Sequence, residues 1–252
     1  MLICVYLDFD NTLFPSDYMS SFFLHKEGKF DKVPPIVVDT LYIVDSLISK
    51  FLYSYMHLCR FRILTHATVS WILYSLQTFM PNLYRYVEWN YIQVVYCENF
   101  SKAEKVREFL SKEKMFDMYI TCGDKLTDIS SVYMPVKEKL KLGAQIRQVL
   151  FVNKPSLNAY EYQWTCMSDI FASFINSPDS EIRRHFVESD HKSTKHTLSV
   201  VEELEEFEEF EELQNMEEVK PSILLSLSAG TPPTNSTLPP TATKIPEIEH
   251  LM

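Results

Sequence analysis

Leu2-Ile3-Cys4-Val5-Tyr6-Leu7, followed at once by Asp8-Phe9-Asp10-Asn11-Thr12, is the stretch on which the reading of this 252-residue chain turns. Residues 2–7 form a continuous apolar run that includes Val, Ile and Tyr. Such a run suits a strand buried on both faces, as in parallel sheets. It ends at two aspartates two positions apart, whose side chains point to one side of an extended chain. Two carboxylates so close repel each other unless a proton or a cation is shared. Mg²⁺ meets that need, because it takes oxygen ligands and is often held by one or two carboxylates together with phosphate and water. Read alone, Asp8 to Thr12 is equally a turn after a strand, with Asp10-Asn11 as turn formers.

Outward from this stretch, strands and helices alternate. Val37, Leu41, Val44, Ile48, Phe51 and Tyr55 recur at spacings of three and four and predict a helix over residues 36–56. Arg60 to Leu64 reads as the next strand, and a helix from Val69 to Phe79 follows, stopped by Pro81. Ile92 to Cys97 is a third strand. Ser101 and Glu104 form a capping box that opens a helix running to about Lys112. Met118 to Cys122 and Gln148 to Val152 supply the fourth and fifth strands, and a helix over 168–175 closes the domain. This order predicts an α/β fold over residues 1–177: a doubly wound, Rossmann-like three-layer sandwich on a mainly parallel five-stranded sheet.

In such sheets ligands bind beyond the carboxyl ends of the strands. Three of the strands predicted here run directly into polar residues. Leu7 leads to Asp8 and Asp10, Leu64 leads to Thr65, and Cys122 leads to Gly123-Asp124 with Asp128 four further on. Lys102 stands at a helix start. Asp124 can complete a cation cage with Asp8 and Asp10. Phosphoryl transfer needs a nucleophile, a proton donor and positive charge around the phosphate oxygens. Asp8, Asp10 and Lys102 can supply these, with the Thr65 hydroxyl as a hydrogen-bond donor. Singly, each has a structural reading as well: a β-favouring threonine, an ordinary loop at Gly123-Asp124, a helix cap at Asp128, a surface lysine at 102. His66, beside Thr65, reads as structural or solvated.

Taken together, these motifs resemble those of the haloacid dehalogenase-like hydrolase superfamily. The resemblance rests on DxDxT at Asp8, Asp10 and Thr12, a strand-ending Thr65, a helix-start lysine at Lys102 or Lys105, and GDxxxD at Gly123, Asp124 and Asp128. It covers about residues 1–155 of the chain. It implies a phosphatase in which Asp8 is the nucleophile that becomes an aspartyl-phosphate. Asp10 then protonates the leaving oxygen and afterwards activates water. The resemblance also implies that Asp8, the backbone carbonyl of Asp10 and Asp124 bind Mg²⁺ with support from Asp128, and that Thr65 and Lys102 hold the phosphate. An acid at Asp10 favours phosphate esters over the superfamily's dehalogenase-like chemistry.

Between Leu13 and Leu64 the long helix leaves only about 20 residues for a flap and linker, so the resemblance implies little or no cap domain. An open site favours bulky phosphates such as a phosphoprotein. Asp-Asn-Thr-Leu-Phe-Pro is similar to the wording of capped nucleotidases of the superfamily, which keeps nucleotides open as substrates. A non-catalytic interaction protein on the same fold is the alternative from another class.

Charge divides the chain. Residues 1–200 carry 22 acids and 22 bases, whereas residues 201–252 carry 12 acids and two bases, so the net charge of −10 belongs to the tail. A neutral body lacks the basic surplus of nucleic-acid binders. With only four glycines, no Gly-rich phosphate loop is present. Five cysteines with no CxxC pair read as reduced thiols, not as disulfides or a zinc site. The greasy run over 36–58 is broken by Asp39, Asp45 and Lys50, and no signal peptide precedes the first strand, so the expectation is a cytoplasmic protein off the membrane. Residues 178–215 are expected to be a linker and an acidic helix, a solvated appendage or a dock for a basic partner. Residues 216–252 are expected to be a disordered Pro/Thr/Ser-rich tail.

Overall fold

All six residues of the first strand, β1 (Ile3–Asp8), are buried, which places it inside the sheet with other strands on both sides. A computed structural model describes residues 1–24, 29–139, 144–189 and 197–203. After β1 come a short helix α1 (Ser16–Ser20) and an antiparallel pair, β2 (Phe23–Leu24) and β3 (Lys29–Phe30). Next are α2 (Pro35–Tyr55), β4 (Cys59–Thr65), α3 (Val69–Phe79), α4 (Pro81–Glu88), β5 (Ile92–Tyr96) and α5 (Lys102–Lys112). The chain continues through β6 (Met118–Gly123), α6 (Leu126–Lys139), β7 (Gln145–Leu150), α7 (Leu157–Asn176), β8 (Glu181–Ser189) and β9 (Thr197–Glu203).

The main sheet has the order β5-β4-β1-β6-β7-β8-β9, parallel except for β9. It is a three-layer α/β sandwich, as the alternation of elements implies. The chain first moves from β1 to one side, through β4 and β5, and then returns to the other side at β6. That reversal opens a crevice at the carboxyl ends of β1, β4 and β6.

Alternation along β1 sorts its side chains. Ile3, Val5 and Leu7 join the large apolar core with Val44, Ile48, Trp164 and Phe171 from α2 and α7. Cys4 and Tyr6 face the opposite layer, where the buried Arg62 guanidinium donates to both and stacks on Phe109 of α5. Asp8 continues this second row, so the period of two sends it toward α5 and α6.

The sheet has two more strands than the five expected. Residues 181–185 of β8 pair with β7 and residues 197–203 pair back on β8, where a linker leading to an acidic helix was expected. The signal in β8 is thin: in a charged stretch, Ile182 and Phe186, four apart on one face, are the side chains buried in the core among the described ones. What fixes β8 is remote. The buried Arg147 of β7 donates to the carbonyl oxygens of Ser177, Asp179 and Ser180, gripping the turn that leads from α7 into β8. The closing helix is also longer than the expected 168–175, starting at a Ser156 cap. Pro81 ends one helix and begins another, because Asp45 accepts the Asn82 and Leu83 N–H groups at the start of α4. The compact unit spans Met1–Glu205. The acidic segment from residue 204 onward and the tail over 216–252 lie outside the described residues. No helix among the described residues is long and apolar enough to cross a membrane.

Candidate active site

The site is built where three parallel strands end side by side. Asp8 pairs in register with Leu64, and Leu7 with Cys122, which sets Asp8 level with Thr65 and Gly123 to within a residue. Helix α5 begins at Lys102 behind the capping box expected at Ser101 and Glu104. From there the Lys102 ammonium reaches 2.5 Å from Asp8 Oδ1 and 2.6 Å from Asp128 Oδ1. Lys105, the other sequence candidate, turns outward to Glu108. The register of α5 on the sheet therefore places Lys102, not Lys105, at the carboxylates.

Asp8, Asp124 and Asp128 each offer a carboxylate oxygen within 4.8 Å of the others. Asp128 lies in the first turn of α6, close enough that a Cβ on Gly123 would stand 2.9 Å from the Asp128 Cβ. Only glycine fits there without a shift. Asp124 is buried; its Oδ2 accepts from Asn11 Nδ2 at 3.1 Å, and its Oδ1 has no hydrogen-bond partner.

The charges are unbalanced. Burial pushes the Asp8 carboxyl up to about 7; Lys102 opposes this, and Asp128 and Asp124 add to it. Burial likewise raises Asp124, against the Asn11 hydrogen bond. Burial works against the Lys102 charge too, but Asp8 and Asp128 outweigh it and hold the ammonium above its ordinary range. When ionised, the three carboxylates outnumber Lys102 and Lys125, the ammonium groups that act on them, and the excess negative charge suits a cation. With hard oxygen donors and an unpartnered buried oxygen on Asp124, the donor set fits Mg²⁺.

Asp10 stands apart from this group. The strand ends at Asp8 and the chain turns at Phe9, so the extended alternation that would align the two carboxylates does not continue to Asp10. Instead of joining the three clustered carboxylates, the Asp10 side chain accepts from the Ser16 hydroxyl. The loop carrying it is pinned from α7, where Trp164 Nε1 donates to Thr12 O at 2.9 Å and the Tyr160 hydroxyl donates to Leu13 O. Thr65 is fully buried, and its Oγ1 accepts from Ala67 N at 2.9 Å, which leaves its own proton to donate.

Asp10 lines a cavity of about 820 Å³ between the loop, α1 and the start of α3. Phe23, Trp71 and Tyr74 form its apolar wall, and His66 is among the residues that line it. His66 Nδ1 lies 2.9 Å from the Cys97 carbonyl, an acceptor only, so Nδ1 carries a proton. The sequence reads His66 as structural or solvated; the fold places it on the cavity lining with its Nδ1 on the Cys97 carbonyl. Three residues of the site carried no functional role in the sequence reading. Asn11 had a usable signal, since asparagine is among the few residues that tolerate the left-handed turn after a strand. Ser16 and Trp71 had none, because they are joined only through the fold.

No family model matches the chain, and no curated protein matches it. Among solved structures, it is similar to the Legionella pneumophila effector Ceg4, at 14% identity over 69% of this chain and 95% of that one, with a TM-score of 0.43. The HAD domain of the Legionella pneumophila effector Lem4 overlaps 66% of this chain and 95% of its own at 13% identity, with a TM-score of 0.37.

Proposed function

We propose that this chain is a Mg²⁺-dependent phosphatase that hydrolyses phosphate monoesters through an aspartyl-phosphate on Asp8. The carrying observation is the buried Lys102 ammonium held between Asp8 and Asp128, beside an Asp124 oxygen that has no partner. Asp8, Asp124 and Asp128, with the backbone carbonyl of Asp10, would hold the ion. When bound, the ion offsets the repulsion between an incoming phosphate and the Asp8 carboxylate.

The steps fall to the chain's own residues. The Asp8 oxygen forms a bond to phosphorus as the bond to the leaving oxygen breaks. Asp10 gives that oxygen its proton. Lys102 and the Thr65 hydroxyl hold the phosphate oxygens. Asp10 then takes a proton from water, whose oxygen bonds to phosphorus while the bond to Asp8 breaks and releases inorganic phosphate. The short flap of α1, β2 and β3 leaves one side of the site uncapped, which favours a bulky phosphorylated substrate such as a phosphoprotein.

Turnover of p-nitrophenyl phosphate with and without Mg²⁺ tests the reading. The expected result is Mg²⁺-dependent release of phosphate, abolished by Asp8→Asn and Lys102→Ala and retained by Lys105→Ala. Release that Asp8→Asn leaves unchanged would refute it and return the non-catalytic reading to first place.

A further inference from the structure

The flap contributes more than a wall. Ser16, the first residue of α1, is buried, and its hydroxyl donates to Asp10 Oδ1. Trp71 Nε1 lies 3.4 Å from the same Ser16 oxygen. An indole N–H can only donate, so Ser16 Oγ accepts from Trp71, and its single proton goes to Asp10. The indole bond has only one possible direction, and the Ser16 proton goes to Asp10 Oδ1 whenever that oxygen carries no proton of its own. Among the described residues the second Asp10 oxygen has no protein partner, and Asp10, Ser16 and Trp71 all border the same cavity.

We propose that Ser16, oriented by Trp71, is a positioning residue that engages one oxygen of Asp10 and leaves the other to exchange its proton with a leaving group lodged in the cavity. This rests on the phosphatase reading and deepens it. Asp10 sits after a strand end, on a turn, where no ladder of backbone bonds fixes its side chain. The contact with Ser16 supplies the missing constraint. It comes from the flap, so the acid is aimed only when the flap is seated on α3 through the contacts of Phe23 and Phe30 with Trp71. Ser16 and Trp71 make no described hydrogen bond to Asp8, Asp124, Asp128 or Lys102, so their effect runs through Asp10 alone.

Leaving-group dependence is the readout that separates this from a structural role. Dinitrophenolate departs without being protonated; the alkoxide of an alkyl phosphate does not. Positioned acid catalysis contributes roughly 10²–10⁴-fold, so a misaimed acid should cost a substantial part of that on the alkyl substrate alone. With Mg²⁺ present, Ser16→Ala is expected to lower kcat/KM, which reports the steps up to departure of the leaving group, by on the order of 30-fold on glycerol phosphate and by less than about threefold on dinitrophenyl phosphate. Ser16→Thr, which keeps the hydroxyl, should restore most of the loss. Trp71→Phe, which keeps the ring packing and removes only the N–H, should show the same split in weaker form. Retained dinitrophenyl turnover certifies that each variant is folded. Equal losses on both substrates in Ser16→Ala and Trp71→Phe, or no loss on either, overturn the proposal while leaving the phosphatase reading standing. A wild-type protein that turns over neither substrate overturns that reading, and the positioning role with it.

Discussion

Asn11 and Asp124, 113 residues apart in sequence, are joined by one buried hydrogen bond of 3.1 Å from the Asn11 amide to Asp124 Oδ2. Asn11 holds this place from a left-handed backbone, and its own Oδ1 accepts the N–H of Asp17. It thus fixes the carboxylate that arrives from β6 and the start of α1 together. Partners of this outer kind typically govern metal affinity by about 10–100-fold.

Asn11→Gly keeps the backbone conformation and removes only the amide. Mg²⁺ affinity, measured by calorimetric titration, is expected to fall by about tenfold. Asn11→Ala should lose a further ~1–2 kcal/mol of stability, because a Cβ is disfavoured in that conformation. Unchanged Mg²⁺ affinity in Asn11→Gly would show that Asp124 is oriented by other means.

Asp8 gives the metal-free protein a pH dependence with a definite sign. Its folded carboxyl lies at about 7, against roughly 3.9 in an unfolded chain. Between those values the folded state keeps a proton that the unfolded state has released. The stability associated with that proton is present in full below the unfolded value and is lost as pH rises through the folded one. In EDTA, the melting temperature of the wild type should therefore fall relative to Asp8→Asn between pH 5 and 8, by an amount on the order of 5 °C. Mg²⁺ should recover the wild type and not the variant. Parallel melting curves for the two proteins in EDTA would dismiss the effect.

Gly123 is the point where β6 and α6 come closest. Gly123→Ala sets a Cβ 2.9 Å from that of Asp128, which forces α6 outward. The expected cost is about 1–3 kcal/mol, together with weaker Mg²⁺ binding because Asp128 moves. Denaturant unfolding and Mg²⁺ titration read the two effects separately. A variant as stable as wild type, with equal Mg²⁺ affinity, contradicts this close approach.

Arg147 tests the remote anchoring of β8. Arg147→Met keeps much of the buried stem and strips the donors from Ser177, Asp179 and Ser180. A loss of about 2–4 kcal/mol is expected, since several carbonyls lose charge-assisted partners in a part-buried turn. Amide exchange should speed up in residues 181–187 before it does in β1 or β6. If protection falls uniformly across the sheet, β8 is not a separately anchored strand.

Much of the fold was legible because it is written locally. The apolar run of β1, the three-and-four spacing of α2 and the Ser101–Glu104 cap each depend on residues a few positions apart. Since parallel sheets bring strand ends to one edge, the order of Asp8, Thr65, Gly123 and Asp124 along the chain was enough to place them in one crevice. What escaped has the opposite character. β8 shows two buried apolar side chains in a charged stretch and is secured by an arginine 30 or more residues before the turn it grips.

The sequence by itself determined the parallel strands around the crevice and the residue types gathered there, though not β8 and β9, because hydrophobic period and capping act over one or two turns of chain. Only the tertiary structure decided how those residues pair. Lys102 meets Asp8 across 94 residues, a choice over Lys105 made by the angle at which α5 packs on the sheet. The chain's exit from β1 at Asp8 parted Asp10 from the other carboxylates and handed it to Ser16. Distances of this kind are set by the packing of whole elements against one another, and no local pattern of residues encodes them.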